Sequence, residues 1–167
     1  MRRWGLFLAM FLSVAVVLFP KVSGAEEKIS GRFVYHTLKV ETVEVGDVPG
    51  HINGITQNAG LLFYSNGEIA MITGTNLFDY VDGKGTFTAN RVYNHSDGST
   101  KFVKLIGTAT PVDGGKKSVF EGTYEYTGGT GRFERIGGKG TCKGERLGSS
   151  KTGGDTYMDF TGTEWKK

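Results

Sequence analysis

The chain has 167 residues, enough for one domain with a sizeable core, and carries 20 Lys and Arg against 17 Asp and Glu, with 27 Gly and one Cys. A single cysteine excludes an intrachain disulfide. The positive excess sits entirely in the first 25 residues, so the rest lacks the broad basic surface that nucleic acid requires.

Those first residues have their own layout. Met1-Arg2-Arg3 is basic, Trp4 to Phe19 is a largely apolar run of sixteen, and the small residues Val22-Ser23-Gly24-Ala25 follow Pro20 and Lys21. This predicts a secretory signal peptide over residues 1–25, cleaved after Gly24 or Ala25. The apolar run falls short of the ~20 residues of a spanning helix, so no stable membrane insertion is expected after cleavage. Cleavage removes Arg2, Arg3 and Lys21 but no acidic residue, which leaves seventeen basic residues against seventeen acidic ones. A neutral, secreted or periplasmic domain over residues 26–167 is expected.

That domain reads as strands. From Gly31 to Val45 the apolar parity switches, with Phe33 and Tyr35 on odd positions, Leu38 and Val40 on even ones, and Val43 and Val45 on odd ones again; a bulge in one long strand does this. Gly46 to Gly50, with Pro49, breaks the chain. Strands are expected over His51–Gln57 and Leu61–Tyr64, separated by Asn58-Ala59-Gly60, and then over Ile69–Thr75 beyond the Asn66-Gly67 hairpin signal. Asn76 to Lys84 reads as a loop. Thr86–Asn94 is a strand with Phe87, Ala89, Arg91 and Tyr93 on one face. Asp97-Gly98 turns the chain into Thr100–Thr110, which Pro111 ends.

The strongest alternation lies in Val119–Tyr126, where Phe120, Gly122, Tyr124 and Tyr126 oppose Val119, Glu121, Thr123 and Glu125. After a Gly-rich turn, Gly140, Cys142 and Gly144 form a small face over Lys139–Glu145, which in a barrel leaves room for large residues opposite. Leu147–Asp155 reads as a loop and Thr156–Trp165 as the last strand, with apolar weight on both faces. Eight or nine short strands with Gly-rich turns predict an all-β barrel or sandwich; closure is favoured because it leaves no sheet edge, so a closed eight-stranded antiparallel β-barrel is expected.

The run from Glu121 to Thr141, EGTYEYTGGTGRFERIGGKGT, resembles the late hairpin of allene oxide cyclase and dirigent-like β-barrels, with Gly129, Thr130, Gly131, Arg132 and Phe133 matching its turn. The resemblance implies an eight-stranded barrel with an apolar central cavity, and a cyclase or stereo-directing activity. It supplies no catalytic residue that can be placed on this chain.

Other chemistry is sparse. Gly129-Thr130-Gly131 fails as a dinucleotide fingerprint, because position 134 is Glu and no βαβ unit follows. His36, His51 and His95 are too widely spread for a metal site and read as surface or turn residues, so neither metal nor cofactor is expected. No Ser sits in a Gly-x-Ser-x-Gly elbow. Glu121 and Glu125 read as solvated, and Cys142 as a buried small residue. Asn94-His95-Ser96 is a formal glycosylation sequon. What remains is an aromatic interior with few polar groups, the composition of a small-molecule site. The candidate ligand-binding residues are Arg91, Tyr93, Tyr124, Tyr126 and Asp159, with Arg91 suited to a carboxylate and Asp159 expected in the cavity with a raised pKa. Three functions follow as expectations: an exported barrel that binds a small apolar or amphipathic molecule, a cyclase or stereo-directing enzyme, or a non-catalytic interaction module that forms homo-oligomers through its outer faces.

Overall fold

A computed structural model describes residues 25–148 and 154–167; the expected signal peptide, apart from Ala25, lies outside the described residues. Eight strands follow in order: β1 (Glu27–Glu44), β2 (His51–Tyr64), β3 (Ile69–Val81), β4 (Lys84–His95), β5 (Thr100–Val112), β6 (Lys117–Thr130), β7 (Ile136–Leu147) and β8 (Asp155–Lys166). Each pairs antiparallel with the next, and β8 returns to β1 over the register Glu27↔Glu164 to His36↔Asp155, so the sheet closes into a barrel. No helix among the described residues is long and apolar enough to cross a membrane.

The number of strands is the expected eight, but they are longer than the sequence suggests. Asn58-Ala59-Gly60 lies inside β2, paired with Thr37, His36 and Tyr35, so the two expected strands are one. Gly60 marks no break there: a Cβ at that position would run into the backbone of Val34 and Tyr35. Asn76 to Val81 also stays in β3, and the turn is confined to Asp82-Gly83, both at positive φ (51° and 79°). Pro111 is accommodated within β5, opposite Ser118.

The register of β1 shifts once, between Thr37 and Lys39. Phe33, Tyr35 and Thr37 face inward before the shift; after it the half-buried Val40 and the exposed Thr42 line the cavity described below. The expected second switch does not occur, and Val43 and Val45 lie exposed.

Inside, large residues are matched to small ones. Tyr124 sits opposite Gly140, which is itself paired with Gly162. A Cβ on Gly140 would lie 2.6 Å from both Cε1 and Oη of Tyr124, so the phenol occupies the volume that these two glycines leave free. Phe87 and Phe120 meet edge to face at 5.8 Å, as do Tyr124 and Phe160 at 6.0 Å.

One end of the barrel is plugged. The Gly131–Phe133 turn, with Gly131 at φ +59°, inserts Phe133 beneath the β4–β5 turn. The Phe133 ring lies 4.5 Å from that of His95 and 4.4 Å from Lys101 Nζ, and the backbone N–H of Arg132 donates to Ser99 Oγ at 3.1 Å. Lys101 pairs with Glu164 at 2.6 Å, and its ammonium is also 5.0 Å from the rings of Tyr64 and Tyr126. Glu68 pairs with His95 Nδ1 at 2.8 Å and with Arg132. His95 is therefore fully buried within the plug rather than a surface or turn residue.

The interlock of Tyr124 with its glycines sets a measurable expectation. Gly140→Val should destabilise the barrel by about 3 kcal/mol, the upper end of ordinary overpacking. Urea unfolding checks it through a lower midpoint at unchanged slope.

Candidate functional site

The opposite end, where the β1–β2, β3–β4 and β5–β6 turns gather, is open among the described residues. A cavity of about 120 Å³ runs into the barrel there. Its aromatic wall comes from Tyr35 on β1, Phe78 and Tyr80 on β3 and Phe120 on β6. Phe78 and Tyr80 are next-but-one neighbours on β3, and their rings stack at 4.7 Å.

The polar wall is partly satisfied. Thr37 Oγ1 donates to Asn58 Oδ1 at 3.1 Å, and Asn58 Nδ2 donates to Thr56 Oγ1 at 3.0 Å. Asn76 Oδ1 and Arg146 Nε are buried without a partner. Arg146 otherwise donates through Nη2 to Ser118 Oγ at 3.1 Å, and its guanidinium lies 5.4 Å from the Phe120 ring. The lining contains no Asp, Glu, His, Lys or Cys.

Deeper in, Arg91 is buried with its guanidinium 4.9 Å from the ring of Tyr35. Its Nε and Nη1 have no partner. Cys142 is buried too, and burial pushes its thiol up to about 12 against the pull of Arg91, so it is a protonated packing residue rather than a nucleophile.

Four of the five residues singled out from sequence, Arg91, Tyr93, Tyr124 and Tyr126, are buried in the interior. None of the four lines the cavity at the open end, and the rings of Tyr124 and Tyr126 lie 5.7 Å apart. Tyr124 fills the space of its glycines, and Tyr126 stacks over Lys101 in the plug. Burial raises the pKa of Tyr93, Tyr124 and Tyr126, so all three phenols are neutral.

Asp159 is a correction. The inward residues of β8 are Thr156, Met158 and Phe160, which leaves Asp159 on the outer face with its side chain 57% exposed. Arg32 grips it from the neighbouring strand through Nε at 2.7 Å and Nη2 at 2.8 Å. That hydrogen-bonded guanidinium holds its carboxyl below the usual range, the reverse of the expected shift.

The sequence reading missed Arg146. Its signal was the alternation Gly140, Cys142, Gly144, which continued by two residues brings position 146 to the same inward face. Asn76 was missed because it fell within a segment read as loop.

At the rim, His51 joins the β1–β2 loop to β3, with Nδ1 2.5 Å from Asp47 Oδ1 and Nε2 2.8 Å from Asp79 Oδ1. The Asp82 N–H donates to the Gly50 carbonyl at 3.1 Å alongside.

These features define a class: a closed barrel that, among the described residues, is blocked at one end and hollow at the other. No protein-family model matches the sequence, and no curated protein matches it. Two solved structures of pterocarpan synthase dirigent proteins are similar to it, each at 14% identity. One has a TM-score of 0.48 and covers 85% of this chain and 87% of its own; the other has a TM-score of 0.47 and covers 84% and 96%. Dirigent-like barrels are one of the two groups that the Gly129–Phe133 turn resembles.

The rim contact should be visible in the pH dependence of stability. The carboxylates of Asp79 and then Asp47 raise the His51 pKa above its ordinary value of about 6.5. The stabilisation from protonated His51 is then fully present below pH ~6.5 and disappears as pH rises through the higher folded value. The melting-temperature gap between wild type and His51→Gln should be widest in mildly acidic buffer and close on going to alkaline pH; a gap independent of pH would contradict the assignment.

Proposed function

We propose that this protein is an exported container that holds a small apolar or amphipathic molecule inside the barrel. The observation that carries the proposal is the cavity of about 120 Å³ at the open end, with aromatic walls and two buried polar atoms left without partners. A mostly apolar recess with a few convergent polar groups is the usual composition of a small-molecule site. An eight-stranded barrel has room for one such guest.

Binding is favoured over a cyclase or stereo-directing reaction by the make-up of the wall. Proton transfer in such a reaction calls for a group that titrates near the working pH and reaches the guest. Of the two charged ligand-binding candidates, Asp159 points to solvent and Arg91 carries a guanidinium, a group that keeps its proton in proteins. The Tyr80 phenol on the wall is raised in pKa by burial and does not act as a base.

Native mass spectrometry of the protein exported from its own host is expected to show a retained small molecule that denaturation releases. Thr56→Trp, which places an indole in the recess, should abolish that extra mass while the circular dichroism spectrum stays that of a β-barrel. A wild-type protein that flies at the bare mass of its chain would remove the container reading.

A further inference from the structure

We infer that the guest carries a carboxylate, and that Arg146 is the residue that reads it. This rests on the container reading and goes further, because it names the chemical class of the guest.

Arg146 belongs to the cavity wall, and its guanidinium is held from two sides, by the hydrogen bond to Ser118 Oγ and by the Phe120 ring. These two contacts orient the guanidinium of the half-buried Arg146 before any guest arrives. Its Nε nevertheless remains buried and unpartnered. Planar forks of this kind match a carboxylate through two parallel hydrogen bonds.

The charge around it is uncompensated. Among the described residues neither Arg146 nor Arg91 pairs with a carboxylate, and residues 1–24 and 149–153 contain no Asp or Glu that could supply one. The inward acids lie at the other end and are engaged, Glu164 with Lys101 and Glu68 with His95 and Arg132. Burying a cation without a counter-charge is expensive, and the ring of Tyr35 beneath Arg91 offsets only part of that cost. An anionic guest would supply the missing partner to Arg146, with Arg91 adding attraction from deeper in the barrel.

Size narrows the class. A cavity of about 120 Å³ is slightly smaller than the ~150 Å³ engineered cavity that accepts benzene. The buried body is therefore a single ring or a short alkyl chain, packed against Phe78, Tyr80 and Phe120. Small aryl and short-chain carboxylic acids fit this description.

Isothermal titration calorimetry with two matched pairs, benzoate against benzamide and hexanoate against hexanamide, tests the inference. At low salt at least one acid should bind wild type about tenfold or more tighter than its amide. Arg146→Gln should erase that preference, so that acid and amide bind the variant alike, and Arg146→Lys, which keeps the charge without the fork, should fall between. Should the glutamine variant fail to fold, the salt dependence of wild type discriminates equally well: acid binding should weaken as salt rises while amide binding holds. Acid and amide that bind wild type equally well would overturn the carboxylate inference and leave the container reading standing. Wild type that binds neither member of either pair would overturn both.

Discussion

The ladder between β1 and β8 is the contact on which the rest of the molecule depends. Ten residue pairs, Glu27↔Glu164 to His36↔Asp155, turn an eight-stranded meander into a ring. Without them the sheet would present two long edges with unpaired N–H and C=O groups, an invitation to associate with other chains. Once the ring is closed, every second side chain points into a space of fixed width. Bulk on one strand must then be answered by its absence on another. Tyr124 against Gly140 and Gly162 is the clearest case, and the tight backbone approach at Gly60 beside Tyr35 is a second.

The two ends of the interior are treated differently, and the difference is electrostatic. At the plugged end each buried charge has a partner, and aromatic rings of Tyr64, Tyr126 and Phe133 surround the ammonium of Lys101. Burial lowers the pKa of Lys101, and Glu164 at 2.6 Å opposes that shift. Such a pair is costly to desolvate, but leaving either member alone would be worse. At the open end Arg146 has a hydroxyl and a ring contact, and Arg91, deeper in, lies over a ring. Ion pairs complete the charges at one end of the barrel, where His95 Nε2 and Tyr64 Oη are nevertheless without partners, and the arginines of the other end have no counter-charge.

Much of this architecture was legible in the sequence, because period-two patterning is a local property. Phe120, Tyr124 and Tyr126 alternate with Glu121, Thr123 and Glu125, and all fall on the sides that the alternation dictates. The inward face of Gly140, Cys142 and Gly144 was equally readable. Strand lengths were harder. Asn58-Ala59-Gly60 and Asn76 carry residues typical of loops, yet ladder pairing with neighbouring strands holds them extended, and that pairing is set by residues far away in sequence. Asp159 failed for a related reason. Its strand has apolar residues on both faces, so parity alone could not say which side was inside; the outward Arg32 on β1 settled it. The histidines resisted because the burial of His95 depends on the Gly131–Phe133 turn folding over it, a contact between segments far apart in the chain.

The plug formed by Phe133, Lys101 and His95 makes the barrel a cup rather than a pipe. Any guest would have to leave by the route it took in, past the rim that His51 ties together. An incoming competitor could not push the occupant out from behind; it would have to wait for spontaneous departure. Exchange would then run at a pace set by the occupant's own escape and indifferent to how much rival surrounds it, a kinetic signature of a vessel with a single port.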